Sequence, residues 1–209
     1  MISCALTMAS QDTKTPVQPK RGVTDDPLVW IDCEMTGLNP DTEEIIEIYC
    51  LITTGNLELL DEEGYHAIVH FPKSRLDQMD EWCTKTHGNS GLTEAVLNST
   101  TTPQQAADGL YEYIAKYIPE QRKGLLAGNS IHADRTFLRK APYDKALDHL
   151  HYRLLDVTTI KEAARRWAAP KVSKKVPSKK GTHKARDDIL ESIEEAKYYR
   201  NVIFGRTLE

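Results

Sequence analysis

The spacing of the β-type apolar runs constrains this chain most. Leu28-Val29-Trp30-Ile31, residues 45–53 and residues 65–71 follow one another without a helix-length gap. Turn signals at Asn39-Pro40-Asp41 and Thr54-Gly55-Asn56 separate them. Parallel neighbours need a crossover of roughly a dozen residues or more, so these three strands are expected to form an antiparallel meander. Beyond residue 100 the rhythm changes. Thr102-Pro103-Gln104-Gln105 is a helix start, with a capping Thr, Pro at the first helical position and Gln at the third. Ala106, Leu110, Ile114, Tyr117 and Ile118 then share one helical face. A strand is expected at Leu125-Leu126-Ala127, a helix over 134–140, a strand over 153–157, a helix over 159–167 and a last helix over 187–203. The order βββαβαβα predicts an α/β fold: a mixed five-stranded sheet, three antiparallel strands then parallel ones, flanked by helices.

Three groups of polar residues sit where such a fold places functional side chains. Asp32 and Glu34 follow directly on an apolar strand. Two positions apart on a strand share a face, so both carboxylates point the same way and repel each other. A divalent cation relieves that repulsion, because carboxylate oxygens are hard ligands suited to Mg²⁺ or Mn²⁺. Asp134 follows the strand at 125–127 beyond Gly128-Asn129-Ser130, where α/β sheets carry functional loops. His183 precedes Asp188 by five residues at a helix start, and an imidazole accepts protons near neutral pH. Each group alone has a common bland explanation: a solvated strand end, a helix-start acid, a surface histidine. Taken together and in this order, they make up the residue set of a two-metal phosphodiesterase, in which two cations roughly 4 Å apart clamp a phosphate.

Charge is unevenly distributed. The formal net charge is −4, yet ten Lys/Arg and a single acid, Glu162, lie between Lys161 and Arg186. An acidic body with one basic segment suits a small anionic ligand better than a long polyanion. Residues 1–26 lack hydrophobic periodicity and read as a disordered tail, residues 170–182 as a basic loop, and residues 206–209 as a short C-terminal tail. No run of about 18 apolar residues suggests a membrane span. Four cysteines without a C-x-x-C pair favour a reduced compartment. Lys14, Lys20 and Arg21 leave cytosol and mitochondrion both open.

The motifs resemble those of the oligoribonucleases, members of the DEDDh 3′→5′ exonucleases with an RNase H-like fold. Residues 30–38, Trp-Ile-Asp-Cys-Glu-Met-Thr-Gly-Leu, resemble the first motif; residues 128–134 resemble the second, and His183 to Asp188 fits H-x-A-x-x-D. Asp80-Glu81-Trp82, Thr86-His87, His151-Tyr152-Arg153 and Leu155-Asp156-Val157 are also similar to the family, and the likeness spans residues 27–205. It implies Asp32, Glu34, Asp134 and Asp188 as ligands of two divalent ions and His183 as general base. It further implies Leu38 as a wedge between two bases, Trp82 and His87 at the 3′ nucleotide, and Tyr152 stacked on the other base. Ser130, Arg153 and Thr158 would cap the 5′ phosphate. Short single-stranded RNA is the implied substrate. A homodimer is implied too, because the segment matching Tyr152 and Arg153 comes from the second subunit in the family. Leu38, Tyr152 and Trp82 retain a packing alternative, as ordinary core side chains. There are three rival readings: an exonuclease acting on longer RNA or DNA, an idle RNA-binding module, and an unrelated protein–protein adaptor, which would not require five motif residues in order.

Overall fold

The computed structural model describes residues 26–178 and 184–205. Strand β1 (Leu28–Met35) is followed by β2 (Ile45–Thr53) and β3 (Tyr65–Ile68). Short helices α1 (Lys73–Leu76), α2 (Glu81–Ser90) and α3 (Leu92–Asn98) lead to the long α4 (Pro103–Tyr117). Then come β4 (Leu125–Gly128), α5 (His132–Leu138), α6 (Asp144–His149) and β5 (His151–Asp156). Helices α7 (Val157–Trp167), α8 (Pro170–Lys174) and α9 (Ala185–Tyr199) complete the chain, with a π-helical turn at Arg200–Phe204.

The sheet order is β3-β2-β1-β4-β5. β1 pairs antiparallel with β2 and β2 with β3, while β4 lies parallel to both β1 and β5. The expected mixed sheet is present. Alternation along β1 divides the core in two. Val29, Ile31 and Cys33 pack with Ile48, Cys50 and Leu126 beneath α4, α5 and α6. Leu28 and Trp30 pack on the other face with Tyr49, Leu51 and Ala127, covered by Val157 and Ala164 of α7 and by Ala185, Ile189 and Ile193 of α9. Trp30 is fully buried, and its indole N–H donates to Thr53 Oγ1 at 3.0 Å.

Several elements differ from the expectation. β1 runs four residues past Ile31, because the buried Cys33 continues the alternation and β2 stays paired as far as Ile45. β3 stops at Ile68; beyond it Val69 donates its N–H to the Ile46 carbonyl and makes an isolated bridge to Thr101. Helices α1, α2, α3 and α6 and the single turn of α8 were not expected. They are short, and few apolar residues mark them: α2 buries only Cys83 and His87. β5 begins at His151, two residues early, so Tyr152 stands on the strand. The capping box at α4 forms as expected, with Thr102 accepting from the Gln105 amide and Gln105 Oε1 accepting from the Thr102 amide at 2.9 Å. Such a cap contributes about 1 kcal/mol.

Candidate active site

Asp32 and Glu34 stand on β1 itself, on the face shared by Leu28 and Trp30, and both are half-buried. Helix α9 brings Asp188 to them from its first turn. One carboxylate oxygen from each of the three lies within 4.8 Å of the others. Asp134 comes from the first turn of α5 and is 7% exposed; its Oδ1 accepts the Cys33 amide N–H at 3.0 Å. It therefore reaches β1 between the two strand acids, although it is not one of the three clustered carboxylates.

Burial pushes Asp32 well above the ordinary carboxylate range, and the charges of Asp134, Glu34 and Asp188 push it further. Glu34 is pushed up to about 8, by burial first and then by Glu47, Asp188 and Asp134. Asp134 rises to about 6 through burial, tempered by the N–H of Cys33. So much negative charge held together against its own repulsion fits divalent cations with oxygen ligands.

Neighbouring side chains frame the cluster. His87 is 2% exposed. Its Nε2 donates to the Met35 carbonyl at 2.9 Å, which leaves Nδ1 facing Glu34 Oε2 at 4.0 Å. Glu47 stands opposite Glu34 across the β1–β2 pair, a like-charge placement that destabilises unless compensated. His66 Nε2 lies 2.7 Å from Glu47 Oε1. Sequence reasoning overlooked Glu47; its signal is a lone acid inside the apolar run 45–53. The loop after β1 is stapled at both ends. Arg75 donates to Thr36 Oγ1 at 2.9 Å and to Glu43 Oε2 at 2.8 Å, and Lys140 pairs with Asp41 at 2.9 Å. That stapled loop carries Leu38, 88% exposed.

A second polar assembly lies where β4 and β5 end. Ser130, in the left-handed region at φ 52°, donates its amide N–H to Asp156 Oδ1 at 3.1 Å and to Thr158 Oγ1 at 2.9 Å. The Ser130 and Thr158 hydroxyls are 3.2 Å apart. Asp156 also caps α7 by accepting from the Thr158 amide at 2.9 Å. Asn129 Nδ2 donates to the buried Glu195 at 3.0 Å, and Lys161 of α7 reaches the same carboxylate at 3.6 Å. Together these contacts close a ring from β4 through α7 to α9. Asp156, Asn129, Lys161 and Glu195 were not singled out as site residues. The signal for Asp156 is an acid at a strand-to-helix junction, whereas nothing in sequence marks Glu195 as paired with Asn129.

Residues 29–196 match the exonuclease family called RNase_T. A fission-yeast protein named probable oligoribonuclease is 46% identical over 177 residues, covering 84% of this chain and 68% of that protein. The chain belongs to the oligoribonuclease family of exonucleases. The oligoribonuclease of Vibrio campbellii is 48% identical over 183 residues, 87% of this chain and 97% of its own. A human relative named oligoribonuclease, mitochondrial, is 46% identical over 184 residues, 87% of this chain and 75% of its own. Among solved structures, cell-death related nuclease 4 superposes with a TM-score of 0.62 at 13% identity, over 87% of this chain and 65% of that one. Pop2p of S. pombe, in a form bound to Mg²⁺ and Mn²⁺, superposes with a TM-score of 0.61 at 15% identity, over 87% and 86%. These two likenesses concern the fold alone, which is RNase H-like.

As a member of the oligoribonuclease family the chain is an exonuclease, a phosphodiester hydrolase. The remaining candidate residues fall into three groups. Leu38, Trp82 and Tyr152 are 88%, 60% and 61% exposed, so none is a core side chain and the packing alternative fails for all three. Tyr152 and Arg153 lie on β5, an edge strand, with the Arg153 guanidinium 5.1 Å from the Tyr152 ring. The Tyr152 ring opens on a cleft of about 320 Å³ lined also by Arg122, Arg135, Arg139, Asp144 and Asp148; none of the clustered carboxylates lines it. His183 lies outside the described residues, as do residues 1–25, 179–182 and 206–209. Among the described residues no helix is long and apolar enough to cross a membrane.

Proposed function

We propose that the chain removes nucleotides one at a time from the 3′ end of very short single-stranded RNA and releases nucleoside 5′-monophosphates. The observation that carries this reading is the cluster of Asp32, Glu34 and Asp188, in a chain that also exposes Leu38 and Trp82. Asp32, Glu34, Asp188 and Asp134 would hold two divalent ions, Mg²⁺ or Mn²⁺, whose charge offsets that of the phosphate and lowers the proton affinity of the attacking water. His183, five residues before Asp188, takes the proton of that water on an imidazole nitrogen. The oxygen of the water bonds to the phosphorus of the last linkage. The bond from phosphorus to the preceding nucleotide's 3′ oxygen breaks, and that oxygen gains a proton.

Apolar and aromatic surfaces read base faces without regard to sequence, which is the part given to Leu38, Trp82 and Tyr152. His87 is fixed by the Met35 carbonyl and borders the 3′ nucleotide. The paired hydroxyls of Ser130 and Thr158, together with Arg153, close on the 5′ phosphate, so a longer strand has no exit past them. Tyr152 and Arg153 act in the partner subunit's site of a homodimer. In support, both lie on an edge strand, and Tyr152 lines a cleft that holds none of the clustered carboxylates.

The test is turnover of 5′-phosphorylated RNAs of about two, three, seven and twenty nucleotides, lengths that straddle the site of a small binding fold, with Mg²⁺ and with EDTA. Fast, EDTA-sensitive release of mononucleotides from the shortest RNAs is expected. Equal or faster cleavage of the longest would replace this reading with a general 3′ exonuclease, and no cleavage of any length would leave an idle binding module.

A further inference from the structure

The catalytic reading leaves two exposed aromatics, Trp167 and Phe204, and one cationic turn without a part, and Trp167 adjoins that turn. Trp167 ends α7 with 82% of its surface in water. It is not stranded by a loose segment. Ile160, Ala164, Ala168, Val172 and Val176 around it all pack into the second core cluster, and the Tyr198 hydroxyl donates to the Val172 carbonyl at 2.7 Å. The junction of α7 and α8 is therefore held to the body while the indole points away from it. Lys171, Lys174 and Lys175 follow, all exposed and spaced three and four apart, so they share a face of that turn. Like charges so placed repel. None of the three enters an ion pair among the described residues. Arg165 and Arg166 are different: both pair with Glu162, and they suit the negative end of α7.

We propose that Trp167 and the lysines of α8 form a second contact for single-stranded RNA, outside the catalytic centre. An indole face stacks on any base and ammonium groups meet phosphates, the combination by which sequence-tolerant single-strand binders work. The proposal rests on RNA being the substrate and adds where strands too long for the capped site are held. Thr158 opens the same helix that Trp167 ends, so the contact lies roughly 14 Å along α7 from the phosphate cap, at 1.5 Å per residue. A dinucleotide closed in by the cap does not reach that contact; a strand of about seven nucleotides, too long for the capped site, meets it from outside.

The experiment measures binding of a labelled seven-nucleotide RNA to the full chain in EDTA, where turnover stops, across a range of salt. Trp167→Ala is expected to weaken binding roughly fivefold to a hundredfold, the loss of one stacked base. The combined change Lys171→Gln, Lys174→Gln and Lys175→Gln is expected to flatten the plot of log affinity against log salt by about 2, at about 0.7 per lost single-strand phosphate contact. Both variants should turn over a dinucleotide with Mg²⁺ at the unaltered rate. Unchanged heptamer binding in both variants overturns the proposal. So does tighter binding of the patch to phosphatidylserine vesicles than to RNA, which would assign it to a membrane surface. Dinucleotide turnover by the unaltered chain is the separate arm: its absence removes the catalytic reading, while the heptamer measurement still decides the second contact.

Discussion

Without divalent ions, the acidic cluster makes the fold less stable as pH rises. The perturbation is metal removal with EDTA, followed by thermal unfolding from about pH 5 to pH 9. Glu34 is held at about 8 in the folded chain against an ordinary 4.5. A folded value above the unfolded one means that the folded state keeps the proton more tightly. The contribution to stability is thus fully present below pH 4.5 and is lost as pH climbs through about 8. At 1.36 kcal/mol per tenfold change in proton affinity, Glu34 alone corresponds to about 5 kcal/mol. Protonating one carboxylate relieves the others, so the cluster as a whole should cost on the order of 3–5 kcal/mol rather than a sum over its members. For a chain of this size, about 3 kcal/mol lowers the midpoint by roughly 6–12 °C. Saturating Mg²⁺ should abolish the decline, because an ion that binds only the folded chain stabilises it by mass action. Glu34→Gln should flatten the metal-free profile and raise the midpoint near pH 8 while abolishing turnover. A metal-free midpoint that is level from pH 5 to 9, or an unchanged profile in Glu34→Gln, would refute the reasoning.

Three further outcomes are expected. Activity of His183→Ala should fall by roughly two to four orders of magnitude with metal affinity intact, as judged by Mg²⁺ titration of the midpoint; a near-normal rate would assign the proton to another group. Arg153→Ala should raise KM for 5′-phosphorylated dinucleotides well above its effect on dinucleotides lacking that phosphate, and equal losses on both would contradict the cap. Glu195→Leu should leave Asn129 and Lys161 unpaired and erode the preference for a 5′ phosphate, measured as a ratio of kcat/KM, while Glu195→Gln keeps an acceptor and retains most of it. A Leu variant that loses stability yet keeps the full preference would make Glu195 a structural residue only.

What was legible in sequence follows the range of the interaction that carries it. Strand alternation and capping are local, so β2 was bounded at both ends and α4 was bounded by the Thr102–Gln105 box. The end of β1 was missed because Asp32 and Glu34 read as the close of an apolar strand, whereas pairing with β2 carries the strand through them. Helices α1, α2 and α3 bury few apolar residues, and periodicity has little to show there. The clustered carboxylates were found because each occupies a conspicuous place in the chain. Glu47 and Glu195 were not, since their significance lies in a cross-strand neighbour and in an asparagine 66 residues away.

The two faces of β1 account for how a cluster that opposes folding survives in this chain. One strand carries Val29, Ile31 and Cys33 into the core beneath α4, and Leu28 and Trp30 into the core beneath α9. Val29 and Trp30 are fully buried, and the other three are at most 7% exposed. Each large apolar side chain so buried contributes roughly 1.5–3 kcal/mol, so a few of them offset the repulsion among the acids. Helix α9 works the same way. Ile189 and Ile193 fasten it to the sheet, and the same rigid turns present Asp188 to Asp32 and Glu34. The backbone therefore cannot carry Asp188 away from Asp32 and Glu34 without lifting α9 from Trp30. Holding them in place through the core leaves protons or divalent ions as the available relief, and that is why the pH and metal dependence of stability should report on the catalytic geometry itself.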